Sequence, residues 1–329
     1  MTTETMPDPL AAHLRTSDGV VGQVDPQTVP RWAGLTTFAR LPRHTDVERF
    51  DAAVVGVPFD AGVTYRSGAR FGPQGIRTAS QLLKPYNPAQ DVMPFEAFQV
   101  VDAGDIIGSP FDIAEAMRQI RGGASELLDA GAKLIVLGGD HTVAYPVLQA
   151  LHAVHGPVGL LHFDAHLDTW GSYFGAQVTH GTPFRLATEQ GLVDNNRLAH
   201  VGLRGGLYSR TDLADDADLG FTAIHCSDID RIGTEGVVDR ILGRLAGGPV
   251  YVSIDIDVLD PGIAPGTGTP EFGGLTGREM LRILRGLGGL NIVGADIVEV
   301  APPYDHAEVT SLAAANLAYE LLCLMASQQ

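Results

Sequence analysis

Three short apolar runs in this chain stop abruptly at acid and imidazole side chains. Lys133–Gly139 (KLIVLGG) leads into Asp140-His141, and Val158–Asp164 (VGLLHFD) opens Asp164-Ala165-His166-Leu167-Asp168. Val250–Asp255 (VYVSID) opens Asp255-Ile256-Asp257. Runs this short and β-branched, apolar without alternation, suit strands covered on both faces. Asp51–Pro58 and Asn291–Val300 have the same character. Helical patterns lie between them. Asp112 is placed to cap a helix with Ile113, Met117, Ile120, Ala124 and Leu127 at helical spacing, and Gly131 lies beyond its end. Thr276 with Glu279 forms a capping box ahead of Met280, Ile283, Leu284 and Leu287, and Ser311–Leu324 reads as a closing helix. The alternation predicts an α/β fold, a single three-layer α/β/α domain with a mainly parallel sheet over residues 34–329, after a polar leader arm at 1–33. Ligands of such sheets gather outside the carboxyl ends of the strands, which is where these acids and imidazoles fall.

Carboxylates two residues apart in extended chain project to one side and can share a cation. A single Asp after a strand is usually a turn residue, and a lone His is usually packed or exposed. His13, His44, His152, His155, His200 and His225 are read that way, and His162 as a packing or supporting group. Four carboxylates and two imidazoles closing three separate strands are a different matter, because nothing but a cation repays that much charge at the end of an apolar run. His141, Asp164, His166, Asp168, Asp255 and Asp257 are therefore the expected metal ligands. One divalent ion among four carboxylates would leave strong like-charge repulsion, and two balance it. Oxygen and imidazole donors without thiolate favour Mn²⁺, with Zn²⁺, Fe²⁺ and Co²⁺ left open. Two ions about 4 Å apart can share a water and bring its pKa towards neutrality, so metal-assisted hydrolysis of a phosphate ester, amide or amidine is expected.

Composition narrows the setting. With 39 Asp+Glu against 22 Lys+Arg the net charge is −17, which offers no basic stripe for nucleic acid or anionic lipid. Cys226 and Cys323 are too few and too far apart for a disulfide framework and suit a reducing compartment. Met1–Leu10 shows no secretory pattern, and no uncharged apolar run reaches the roughly 18 residues of a membrane helix. A cytoplasmic protein that contacts neither nucleic acid nor membrane is expected.

Taken together, GGDHT at 138–142, DAHLD at 164–168 and SIDIDVLDP at 253–261 resemble the three metal signatures of the ureohydrolase family, which includes arginase, agmatinase and guanidinobutyrase. The resemblance extends to VGVPFDAGVTYRSGARFGPQGIR at 55–77, DAGDI at 102–106, THGTP at 179–183 and GTGTPEFGGL at 266–275, over roughly residues 30 to 325. Each motif alone is a weak signal, and the ordered set is specific. The resemblance implies an arginase-like fold and two Mn²⁺ per subunit. His141, Asp164, Asp168 and Asp255 would hold one ion, and His166, Asp164, Asp255 and Asp257 the other. Asp168 would also orient the attacking hydroxide. His180 in THGTP would be a mobile, proton-carrying catalytic residue, and Glu299 in DIVEVAPPYD would pair with the substrate guanidinium. The implied products are urea and a primary amine, and the implied assembly is a homo-trimer or homo-hexamer.

The loop Thr169–Thr179 lacks the Asn that arginases place two residues after the last metal Asp, and Trp170 stands there. Gly202-Leu203-Arg204-Gly205-Gly206 lacks a later arginase Asp. These departures turn the expectation from arginine to agmatine first, cleaved to putrescine and urea. The alternative is 4-guanidinobutanoate or a shorter guanidino acid. Tyr173, Trp170, Arg204 and Asn87 are candidate substrate contacts, and an arginine at the substrate's far end would favour the acids. A dinuclear phosphoesterase would show an Asn ligand in a GNHD-like segment, and a related deacetylase would use one Zn²⁺ with an added His pair. Neither pattern is present. A metal-stabilised interaction protein without catalysis would be expected to lose His180 or Glu299.

Overall fold

The structure is a computed structural model and describes residues 10–328. Strands β1 (His13–Arg15) and β2 (Val21–Val24) form an antiparallel hairpin. The main sheet contains β3 (Ala52–Gly56), β4 (Val100–Asp105), β5 (Lys133–Leu137), β6 (Val158–Phe163), β7 (Val193–Leu203), β8 (Phe221–His225), β9 (Pro249–Asp255) and β10 (Asn291–Val298). Its order is β4-β3-β5-β10-β9-β6-β7-β8, and every neighbouring pair is parallel.

The helices are α1 (Gly72–Ser80), α2 (Pro94–Ala97), α3 (Ile113–Asp129), α4 (Ala144–His155), α5 (Pro183–Glu189), α6 (Asp212–Asp218), α7 (Cys226–Leu245), α8 (Gly277–Arg285) and α9 (Val309–Ala326). Helices α1, α7, α8 and α9 pack on one face of the sheet with Val54, Ile135, Leu161 and Val252. Helices α3, α4 and α5 pack on the other with Val55, Val136, Leu160 and Tyr251. Successive strand residues thus feed opposite cores, which is why the runs read as continuously apolar. Two capping groups act as the sequence implies: Asp112 accepts the Glu115 N–H at 3.0 Å, and Thr276 and Glu279 bond reciprocally. Helix α9 has the length and apolarity of a membrane span, yet 78% of it is buried inside the structure, between α1, α8 and β10, so its composition reflects core packing.

The leader arm is a docked element where it is described. Gln99 accepts the Val21 N–H at 2.9 Å and donates to the Val21 carbonyl at 2.8 Å, fastening the hairpin to the domain. Residues 1–9 of that arm lie outside the described residues.

The strand order decides where chemistry can gather. Strands β5, β10, β9 and β6 are consecutive in the sheet although distant in sequence. Their carboxyl ends deliver His141, Glu299, Asp255 and Asp164 side by side.

Candidate metal centre and active site

At the end of β5 the chain turns under the 59–62 segment so closely that a Cβ on Gly139 would stand 1.8 Å from the Phe59 carbonyl oxygen. Only glycine fits there. Asp140 then takes the Gly62 N–H at 2.7 Å and the Thr142 N–H at 2.9 Å, which aims the fully buried His141 into the site. At the end of β6, Asp164 accepts the His166 N–H at 2.6 Å. At the end of β9, Asp255 accepts the Asp257 N–H at 2.9 Å, and Asp257 accepts the Ala165 N–H at 3.2 Å. Asp168 and Glu299 both have positive φ, 53° and 61°. Non-glycine residues tolerate that conformation where surrounding contacts enforce it, as they do at functional sites.

These turns make two adjoining donor clusters. His141 Nδ1 lies 2.9 Å from Asp168 Oδ2 and 3.4 Å from both Asp164 Oδ2 and Asp255 Oδ2. His166 Nδ1 lies 3.2 Å from Asp164 Oδ1 and 3.1 Å from Asp257 Oδ2. Asp164 therefore belongs to both clusters, one oxygen to each. His141 Nδ1 is buried without a hydrogen bond and faces three carboxylate oxygens, while its Nε2 is engaged by Ser253 Oγ at 2.8 Å. A lone pair held among carboxylate oxygens fits a cation, and the all-oxygen-and-imidazole donor set fits divalent first-row metals. His162, geometrically near the first cluster, spends its Nε2 on Asp164 Oδ2 at 2.8 Å and so stands behind that carboxylate.

The electrostatics agree. Burial and the charges of Asp257 and Asp164 drive the Asp255 carboxyl well above the ordinary range. Burial likewise raises Asp257 to about 6, with Asp164 adding to it, and burial with Asp164 raises Asp168. Asp164 goes the other way: burial opposes ionisation, but His162, His141 and His166 hold it well below the ordinary range. Burial pushes His162 down to about 3 and keeps that ring neutral. Without cations, the carboxylates outweigh burial at His141 and His166 and would hold protons on both. Three buried acids raised by burial and by neighbouring carboxylate charge, around an ionised Asp164, are the condition that divalent ions relieve.

A cavity of about 320 Å³ opens over the clusters. His166, Asp168, Asp255 and His180 reach it from below, and Trp170, Tyr173 and Tyr208 form one wall. Those three rings meet edge to face with centroids 5.5–5.9 Å apart. Thr64, Tyr65, Arg66, Thr269 and Glu271 supply other parts of the lining. His180 Nε2 stands 3.1 Å from the Thr64 backbone nitrogen and 2.7 Å from its hydroxyl, and Nδ1 stands 3.0 Å from Glu299 Oε1.

Several sequence-based expectations are placed differently. Trp170 and Tyr173 do line the cavity, but Arg204 does not serve it: its guanidinium donates to backbone carbonyls including those of Asp257, Leu259 and Glu271. It staples loops behind the site. Asn87 is buried against α9, donating to Cys323 Sγ at 3.4 Å, and is corrected to a packing residue. Glu299 is 1% exposed and is not part of the cavity wall; His180 covers it, and its Oε1 accepts the His141 backbone N–H at 2.9 Å. Direct contact with substrate would require His180 to move aside. Thr64, Arg66, Tyr208, Glu271 and Asp140 escaped the sequence reading. Four of them lie inside or beside quoted motifs, so position was legible there and role was not.

Residues 50–324 match the profile described as "Arginase family". The chain is 43% identical over 304 residues to a guanidinopropionase of Pseudomonas aeruginosa, covering 92% of this chain and 95% of that one. It is 43% identical over 297 residues to a mitochondrial agmatinase of Gallus gallus, covering 90% and 87%. Proclavaminate amidino hydrolase from Streptomyces clavuligerus superposes with a TM-score of 0.88 at 39% identity, over 92% of this chain and 100% of that one.

Proposed function

The chain belongs to the arginase family and is a metal-dependent ureohydrolase with a dinuclear centre, and on that footing we propose that it releases urea from a short ω-guanidino acid using two Mn²⁺. In this proposal His141, Asp164, Asp168 and Asp255 hold one ion, and His166, Asp164, Asp255 and Asp257 the other. When bound, the pair supplies Lewis acidity and a water that ionises near neutral pH. The protein's own groups do the rest. Asp168 orients the attacking oxygen, and Trp170, Tyr173 and Tyr208 exclude water around the substrate chain. His180 carries a proton to the departing amine nitrogen, which leaves poorly unless protonated. Glu299 fixes the His180 ring from behind and pairs with the guanidinium when that ring swings out.

The observation that carries the substrate class is Arg66. It lines the cavity, lies 5.3 Å from the ring centroids of Tyr65 and Tyr304, and has no carboxylate within 4 Å among the described residues. A half-buried, uncompensated guanidinium facing a cavity suits a distal carboxylate. The guanidinopropionase named above acts on a substrate of that kind by its name. Agmatine is the second reading, favoured by Glu271, whose carboxylate also reaches the cavity and stands 3.8 Å from His166 Nε2.

A urea-release assay on Mn²⁺-loaded protein tests this, with 4-guanidinobutanoate, 3-guanidinopropanoate, agmatine and arginine in parallel. Urea from none of them overturns the reading, and preference for agmatine moves the distal contact from Arg66 to Glu271. A homo-trimer or homo-hexamer acting in the cytoplasm completes the proposal, and light scattering on the purified protein tests the assembly.

A further inference from the structure

Behind the metal ligands runs a buried string of side chains that no step of hydrolysis uses. Asp164 Oδ2 meets His162 Nε2 at 2.8 Å, and His162 Nδ1 meets His200 Nδ1 at 2.7 Å. His200 Nε2 meets Asp216 Oδ1 at 3.1 Å, and the same oxygen accepts the Thr169 hydroxyl at 2.7 Å. Thr169 follows Asp168 in the chain, so the string leaves the site through one expected ligand and returns through another. Asp164, His162 and His200 are fully buried, and Asp216 is 2% exposed.

Such a string is expensive unless every member is satisfied. Each ring nitrogen along it has a partner: His162 joins Asp164 Oδ2, the oxygen on the His141 side, to His200, and His200 joins His162 to Asp216. The Oδ1 oxygen on the His166 side is held separately, by the His166 backbone N–H.

We propose that His200 and Asp216, neither of which touches the cavity, are positioning residues that orient Asp164 and set the affinity of the ion on its His141 side. The proposal rests on Asp164 being the shared metal ligand. Asp216 lies on α6, whose first residue, Asp212, accepts the Trp170 indole N–H at 3.3 Å and the Tyr208 and Ser209 backbone N–H groups. One short helix thus braces both the back of the metal centre and the aromatic wall of the cavity.

His200→Phe tests the proposal, because a phenyl ring keeps the stacking on Phe221 at 4.0 Å and deletes both hydrogen bonds. Mn²⁺ titration of chelator-stripped wild-type protein should show two ions. In His200→Phe one of the two should bind on the order of 10- to 100-fold more weakly, the usual cost of losing a supporting hydrogen bond behind a ligand. His200→Gln, whose amide keeps a hydrogen-bonding partner for His162, should recover most of that loss, and the metal-free melting temperatures of the two variants should agree. Wild-type protein that binds no Mn²⁺ overturns the metal reading itself. Wild-type protein that binds two ions while His200→Phe binds them equally well overturns only the role of the string. Equal weakening in His200→Phe and His200→Gln, tracking a fall in metal-free melting temperature, also overturns that role and leaves His200 a packing residue. If His200→Phe does not fold, Asp216→Ala carries the same comparison with Asp216→Asn as its conservative partner.

Discussion

Glu299 Oε1 stands 3.0 Å from His180 Nδ1, and the same oxygen accepts the backbone N–H of His141 at 2.9 Å. One buried carboxylate thus ties the proposed proton carrier to the start of the metal centre. Burial works against a charged His180, but the hydrogen bond and charge of Glu299, with Asp168 and Asp140 nearby, carry its pKa up to about 9. A histidine whose folded pKa exceeds its unfolded value stabilises the fold fully below about pH 6.5 and loses that contribution as pH rises through about 9. In metal-free protein, the Glu299→Gln variant should therefore fall behind wild type at pH 6 by as much as roughly 3 kcal/mol and draw level with it above pH 9. Urea denaturation midpoints across that range measure the difference, and a gap that does not change with pH contradicts the pairing.

The carboxylates in the metal clusters set a second window. Burial, with the charges of Asp257 and Asp164, raises Asp255 well above the ordinary range, and burial, with Asp164 beside it, raises Asp257 to about 6. Groups with raised carboxyl pKa values bind more protons folded than unfolded, so stability drops as pH rises from about 4 through 6. Chelator-treated protein should lose thermal stability over that interval, whereas Mn²⁺-loaded protein should not, because bound cations replace the protons. Melting curves at pH 4.5 and 6.5, with and without metal, give the comparison. Parallel curves would show that the four acids are not relieved by metal.

The His180 side chain makes its hydrogen bonds to Thr64 and Glu299 and to none of the six expected ligands. His180→Ala should therefore keep two metals per chain while turnover falls on the order of 10²- to 10⁴-fold, the usual worth of a positioned acid. Elemental analysis beside a urea assay reads both quantities. Loss of metal along with activity would make His180 a ligand.

That these six donors gather in one place was legible in the sequence because of where they sit. An apolar run that closes on Asp164-x-His166-x-Asp168 or Asp255-x-Asp257 leaves little besides a cation to repay the charge, and the alternation implied a parallel sheet. Strands β4, β7 and β8 were not legible, for related reasons. Val193–Leu203 begins with the half-exposed polar stretch Asp194–Arg197, and Phe221–His225 is a short edge strand open on one side. Side-chain direction in loops was also beyond reach. Arg204 is drawn away from the cavity by six carbonyl oxygens, and Glu299 is turned behind His180 by its left-handed backbone. The His162–His200 pair is hidden for a different reason, because two buried histidines 38 residues apart meet only through the register of β6 against β7.

Arg66 and Glu271 put opposite charges on the lining of one cavity, and the substrate's far end must choose between them. A charge-assisted hydrogen bond contributes about 1.5–3 kcal/mol, or roughly 10- to 150-fold in binding. Arg66→Met should therefore raise KM for 4-guanidinobutanoate by about that factor while leaving kcat within a few fold, since the far end lies away from the reacting carbon. KM for agmatine should fall or hold, because a cationic terminus no longer faces a guanidinium. Glu271→Gln should produce the reverse order. Glu271 also stands 3.8 Å from His166 Nε2, so metal content must be measured in that variant before its KM is read. Steady-state kinetics on both substrates in both variants decide the matter. Equal losses on the two substrates would place Arg66 in the architecture of the Tyr65–Tyr304 wall rather than at the substrate's charged end.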